Sequence, residues 1–248
     1  MGPGLIITGG GRGIGAATAL LAAQAGWRVI INYRQNRPAA ESVCEKIHNR
    51  GGFAVIYQAD VADESQVVAM FAFASQELAP IGGLVNNAGT LEASMKLEQM
   101  DGKRVDRIFA TNVKGSLLCA REAVRYMSVR HGGQGGSIVN VSSIAARLGG
   151  ANEYVDYAAS KGAIDTLTVG LASELSEDGI RVNAVRPGLI DTEIHQLSGD
   201  PDRINRISRH IPLKRPGSAE EVANSIVWLL SDQASYCTGT FIDCSGGR

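Results

Sequence analysis

The sequence predicts an α/β protein built on one parallel, doubly wound sheet with helices on both faces. Three observations lead there. Short apolar runs alternate with helix-patterned segments from one end of the chain to the other. The first apolar run stops in a glycine cluster that opens a helix. No linker, fixed-period repeat or low-complexity block interrupts the alternation, so residues 1–248 are expected to form a single domain.

Composition narrows the class further. A chain of 248 residues can bury roughly 70–75% of its unfolded surface and needs no staples. With 44% hydrophobic residues and 30 glycines, it suits a packed protein with many tight turns. The formal net charge is −1, with both signs interspersed. That leaves no electrostatic footprint for nucleic acid or an anionic membrane. No apolar run reaches ~18–20 residues, so no membrane span is expected. Cys44, Cys119, Cys237 and Cys244 are scattered without a C-x-x-C pair, and the four histidines form no H-E-x-x-H. No metal site is expected, and reduced thiols suit a cytoplasmic setting.

Taken in order, Leu5 to Thr8 is a buried strand that ends in Gly9-Gly10-Gly11-Arg12-Gly13-Ile14-Gly15, and a helix follows over Ala16 to Ala25. Strand, glycine turn and helix form the setting of a dinucleotide fingerprint, met here in its alanine form at Gly11, Gly13 and Ala16. Glycines permit the tight turn and let the backbone approach a pyrophosphate, while the helix N-terminus offers N–H groups and positive dipole. Gly9, Gly11, Arg12, Gly13, Ile14 and Gly15 are therefore candidate cofactor contacts.

The second strand is Arg28 to Tyr33. An acid near its end would take a ribose 2′-hydroxyl, but the segment is Asn32-Tyr33-Arg34. Arg34 and Arg12 are instead available to a 2′-phosphate, which favours NADP(H) over NAD(H) and adds Tyr33 and Arg34 to the candidate contacts. A helix over Ala39 to Asn49 and a strand over Phe53 to Gln58 follow. Asp60 and Val61 stand at that strand's carboxyl end, where ligands of open α/β sheets bind. Asp63 is the better cap for the helix over Glu64 to Leu78, leaving Asp60 for an adenine amino group.

Gly83 to Val85 is a short fourth strand, closed by Asn86-Asn87-Ala88-Gly89, which suits a turn or a ribose equally. Residues 103–130 are expected to form one long helix with Asn112, a poor helix former, in mid-course. Gly136 to Val141 is the fifth strand, ending at Ser142-Ser143. Ile180 to Val185 is the sixth, followed by Arg186-Pro187-Gly188. Residues 191–212 carry few packing signals and suggest a substrate loop. An amphipathic helix over Ala219 to Leu230 and a strand over Thr240 to Asp243 complete the chain.

The chemistry centres on Tyr157-Ala158-Ala159-Ser160-Lys161, at the head of a helix over Val155 to Glu174. Residues four apart share a helical face. A cation beside a phenol favours the phenolate, and such a tyrosine can exchange a proton with an alcohol or carbonyl oxygen. By spacing alone the pair also suits a surface tyrosine beside a solvated lysine. Ser143, fourteen positions earlier, can be folded back to make two hydroxyls and an ammonium converge.

Together these residues resemble the classical short-chain dehydrogenases/reductases along essentially the whole chain. The matching motifs are Thr8 to Gly15, Asp60-Val61, Asn86 to Gly89, Asn112, Ser143, Tyr157 to Lys161 and Pro187-Gly188. The resemblance implies a seven-stranded Rossmann-type domain, a nicotinamide cofactor and an Asn–Ser–Tyr–Lys tetrad at Asn112, Ser143, Tyr157 and Lys161. Tyr157 would be the acid in carbonyl reduction. Lys161 would lower its pKa and hold the nicotinamide ribose. Ser143, in preference to Ser142, would polarise the substrate oxygen, and Asn112 would hold a water leading from Lys161 to solvent. Asn87, Ala88 and Gly89 would border the adenosine ribose; Pro187, Gly188, Ile190 and Thr192 would clamp the carboxamide. It further implies a homotetramer paired through the helices at 103–130 and 155–176. The expected reaction is hydride transfer between NADP(H) and a small carbonyl or alcohol, a ketone or 3-oxoacyl compound being favoured over a sugar or polyol. A non-catalytic NADP-binding sensor is the rival from another class.

Overall fold

The computed structural model describes residues 2–192 and 203–248, with side chains from Arg206 onward in the second stretch. Seven parallel strands form one sheet in the order β3-β2-β1-β4-β5-β6-β7. They are β1 (Gly4–Ile7), β2 (Arg28–Tyr33), β3 (Phe53–Gln58), β4 (Ile81–Asn86), β5 (Gly136–Val141), β6 (Ile180–Pro187) and β7 (Phe241–Cys244). The order reverses between β1 and β4, so a crevice opens outside their carboxyl ends.

The strand period of two divides the core. Leu5, Ile7, Val29, Ile31, Val85 and Val139 face one layer. They pack on α1 (Gly13–Gln24), α2 (Arg37–His48) and α9 (Ala219–Leu230) through Ala19, Ala22, Val43, Ile47, Val222 and Ile226. Ile6, Ile30, Leu84, Ile138 and Val182 face the other layer. There they meet α3 (Glu64–Leu78), α5 (Gly115–Met127) and α7 (Val155–Glu174) through Met70, Phe71, Leu118, Met127 and Ala172.

Local signals set the helix starts. Asp63 caps α3, its Oδ1 accepting from the Ser65 and Gln66 amides at 2.9 and 3.2 Å. Ser218 and Glu221 form a capping box at α9. Among the described residues no helix is long and apolar enough to cross a membrane.

The expected helix over 103–130 is not continuous. It divides into α4 (Gly102–Phe109), a π-helical turn over Ala110–Lys114, and α5, followed by a 3₁₀ turn at Val129–His131. The π turn carries Asn112 inward, where it is buried. At its end, a β-carbon on Gly115 would lie 2.7 Å from Val61 Cγ2, so α5 can lie this close to the β3 loop only with glycine there. A short α6 (Ala145–Leu148) interrupts the expected loop after β5. Of the suggested substrate loop 191–212, residues 193–202 lie outside the described residues; α8 (Arg203–Ser208) and the buried Ile211 follow them.

Candidate active site

The site is assembled from turns at the carboxyl edge of the sheet. Between β1 and α1, Gly9 and Gly13 have φ of 61° and 51°, which side chains resist. A β-carbon on Gly15 would stand 2.5 Å from both Asn87 Nδ2 and Gly9 O. The turn is also laced to its neighbours. Thr8 Oγ1 accepts from the amides of Asn87 and Ala88 at 3.0 and 2.9 Å. Asn87 Nδ2 donates to Thr8 O and Gly9 O at 2.8 and 3.1 Å. The Gly9 amide donates to Asn32 Oδ1 at 3.2 Å. Arg12, at the head of α1, makes no side-chain cap, and the first turn of α1 holds no acid. An uncapped helix start behind glycines fits a dinucleotide pyrophosphate.

At the end of β2 the polar side chain is turned inward. Asn32 is buried, and its Nδ2 donates to Ala59 O at 3.0 Å. Tyr33 is buried as well. Beyond β3, Asp60 and Arg34 face each other. Asp60 Oδ1 accepts the Ala62 amide at 3.0 Å, and Oδ2 lies 3.6 Å from Arg34 Nη1. Both side chains are substantially exposed. Such a pair is worth about 0–1 kcal/mol, so a bound phosphate can compete for the guanidinium.

Beyond β4 and β5 lies a cavity of about 220 Å³. Ser143, Tyr157 and Lys161 line it, with Ile14, Asn87 and Gly89 on one side and Pro187, Gly188, Ile190 and Thr192 on another. Adjacent serines diverge at the end of β5. Ser142 Oγ donates to Asp165 Oδ1 at 2.6 Å and to Lys161 O at 3.2 Å. Ser143 Oγ accepts the Ala145 amide at 3.1 Å, which fixes it at the cavity wall.

Lys161 is buried, and its Nζ donates to Val141 O at 2.8 Å. Burial lowers its pKa from 10.5 to about 8, with the Asp165 carboxylate opposing the fall. Its Nζ sits 5.7 Å from the centre of the Tyr157 ring.

Asn112 stands behind the wall rather than in it. Its Oδ1 accepts the Thr90 amide at 2.8 Å, and its Nδ2 donates to Thr90 O and Ser160 Oγ at 3.1 and 3.0 Å. A β-carbon on Gly89 would stand 3.5 Å from both Asn112 Oδ1 and Lys161 Nζ, so the bare glycine keeps the ground between them clear. Gly9, Gly11, Arg12, Gly13, Gly15, Tyr33, Arg34, Asp60, Val61 and Ala88 lie outside the lining of this cavity.

Much of the rest of the lining is apolar and went unnoticed in the sequence, through Leu91, Ile144, Leu148, Tyr154, Leu189 and Ile207, while Glu153 and Arg248 add two charged groups. Most sit in irregular segments, where no hydrophobic period marks a buried face. Among the described residues, no group of three or more His, Cys, Asp or Glu could hold a metal ion.

Comparison with known proteins gives the family and the fold. The family profile described as Enoyl-(Acyl carrier protein) reductase matches residues 9–248. The chain is 56% identical to an uncharacterized oxidoreductase, YgfF, of Escherichia coli strain K12, covering 98% of both chains. It is 35% identical to the 3-oxoacyl-[acyl-carrier-protein] reductase FabG of Staphylococcus aureus, over 98% of this chain and 96% of that one. Among solved structures, a substituted short-chain dehydrogenase/reductase from Serratia marcescens superposes with a TM-score of 0.91 at 31% identity, covering 100% and 98% of the two chains.

Proposed function

The chain belongs to the short-chain dehydrogenase/reductase family and is an oxidoreductase, and from that premise we propose that it reduces an apolar ketone or 3-oxoacyl-type carbonyl with NADP(H). The observation that carries this is one cavity in which two hydroxyls and a buried ammonium meet a lining that is more apolar than polar. Those hydroxyls of a polyol that meet Leu91, Leu148, Leu189 or Ile207 would go unpaired, at a penalty for each. Absence of a carboxylate beside Asn32, together with Arg12 and the exposed Arg34, supports the 2′-phosphorylated cofactor.

A bound nicotinamide supplies the hydride. The chain's own residues would do the rest. Tyr157 gives its phenolic proton to the carbonyl oxygen as charge develops there. Lys161 favours the phenolate that remains and holds the nicotinamide ribose. Ser143 donates to the same oxygen and orients it. Asn112 Oδ1, across from Lys161 Nζ, takes one end of a water path to solvent. Pro187, Gly188, Ile190 and Thr192 border the ring. Gly11, Gly13, Ile14 and Gly15 hold the pyrophosphate, with Asn87, Ala88, Asp60 and Val61 toward the adenosine. A homotetramer is part of the same proposal, supported by Leu117 and Val169, exposed on α5 and α7, and by open space beyond Gly162 and Gly170.

The test is a panel of aliphatic and aromatic ketones, 3-oxoacyl thioesters and sugars, followed by oxidation of NADPH or NADH. We expect apolar carbonyls and NADPH to give the higher kcat/KM. Tyr157→Phe should lower kcat by ~10²–10⁴-fold with cofactor affinity kept. Near-normal turnover in that variant, or a preference for NADH, overturns the corresponding part.

A further inference from the structure

An ion pair buried immediately beside Tyr157 is not accounted for by the chemistry above. Arg104 on α4 and Asp156 in the first turn of α7 each expose only 3% of their side chains. Arg104 Nε donates to Asp156 Oδ2 at 2.7 Å, and Nη1 donates to Ala93 O at 2.6 Å. Asp156 Oδ1 in turn accepts the backbone amide of Tyr157 at 2.8 Å. The guanidinium thus joins three pieces of chain: α4, the wall segment that includes Leu91, and the turn bearing the phenol.

Local structure explains why the carboxylate is needed. Tyr154, at the head of α7, makes no side-chain cap. The first amides of a helix lack partners within it, and Asp156 satisfies the one that belongs to Tyr157. A carboxylate suits the positive end of the helix dipole, but a buried one needs a cation. Arg104 is that cation, and Asp101 fixes it in turn by accepting the Arg104 amide at 2.8 Å.

Stability alone is a poor reason for such a pair. A well-packed apolar pair often holds two helices as firmly as a buried ion pair does. What apolar side chains cannot do is accept the Tyr157 amide and donate to Ala93 O at the same time. We propose that Arg104 and Asp156 are positioning residues: together they fix the backbone of Tyr157 relative to the Leu91 wall, and so set the phenol against the substrate carbonyl. This rests on the reading of Tyr157 as the proton donor.

The experiment compares wild type, Arg104→Met/Asp156→Asn and Tyr157→Phe. The double variant removes both buried charges but keeps a side-chain oxygen for the Tyr157 amide, so no lone charge is left inside. Three quantities are read: thermal midpoint, NADPH affinity by fluorescence titration, and hydrogen exchange of the peptide over 155–161. Turnover is measured with the best carbonyl of the panel. For the double variant we expect a near wild-type midpoint and NADPH affinity, faster exchange confined to 155–161 and 88–96, and kcat lower by ~10–100-fold, as for small misplacements of a reacting group.

Wild-type exchange and wild-type kcat in the double variant would overturn the proposal. Should the double variant not fold, Arg104→Lys makes the same test, because a point charge cannot span Asp156 and Ala93 O as a fork does; undiminished turnover there overturns it equally. Tyr157→Phe separates the two readings. If it stays active, the proton-donor role fails, and the exchange pattern alone decides whether the pair orders the turn.

Discussion

At Lys161 two opposing effects act on one proton. Desolvation pushes the ammonium toward neutrality, and the Asp165 carboxylate one turn along α7 pulls it back, leaving its pKa at about 8. The folded value lies below the ordinary 10.5, so between about 8 and 10.5 the unfolded chain binds more protons. Burial of the ammonium therefore weakens the fold below about pH 8, and the penalty is relieved as pH rises through that window. On the proposed role, reduction should slow as pH climbs past 8, because the cation that favours the phenolate is lost. Asp165→Asn removes the group that raises the pKa, so the descending limb of kcat/KM against pH should move to lower pH. A limb that stays in place would exclude control by Lys161. Asp165 itself is held by Arg186 Nε at 3.0 Å, and the Arg186 guanidinium lies 3.8 Å over the Phe241 ring.

Among the elements, the π turn in the α4–α5 span has the largest consequence for the site. It turns Asn112 into the interior, where one amide satisfies both backbone groups of Thr90 and meets Ser160 on α7. Asn112→Ala leaves the Thr90 amide and carbonyl unpaired in a half-buried setting. At ~1–3 kcal/mol for a stranded group, we expect a loss of about 2–3 kcal/mol in urea unfolding at unchanged m-value. A loss below ~0.5 kcal/mol would mean that the turn stands without its asparagine. The sequence betrayed Asn112 but not the turn, since widening one turn scarcely disturbs the apolar spacing on either side. By contrast β2, β3, β5, α3, α7 and α9 occupy the spans expected of them, because each is a full apolar or amphipathic run between strong breakers. Tyr157 and Lys161 were legible as neighbours because a helix converts spacing into proximity. Arg104 and Asp156 were not: 52 positions separate them, and only the crossing of α4 over α7 brings them together. The apolar wall was hidden for a different reason, the lack of a hydrophobic period in the irregular segments that carry most of it.

Across the whole molecule, the parallel sheet separates two kinds of electrostatics. The site occupies the carboxyl edge. At the opposite edge, Asp178 joins the ends of α5 and α7 by accepting from Ser128 Oγ and from both Nε and Nη2 of Arg130. The guanidinium and hydroxyl bonds hold its carboxyl at about 2, below the usual 3.8. A depressed acid stabilises the fold above its unfolded pKa and loses that contribution as pH falls through the folded value. The difference in thermal midpoint between wild type and Asp178→Asn should thus be full near neutrality, shrink below pH 4 and vanish toward pH 2; a gap independent of pH would assign it to packing. The seam between β1 and β4 bears on nucleotide entry. With Thr8 and Asn87 stitched across it, the glycine turn proposed to hold the phosphates is ordered before any guest arrives, and its ordering entropy is met when the chain folds. On the proposed reading, occupancy of that groove then answers to charge and ionic strength.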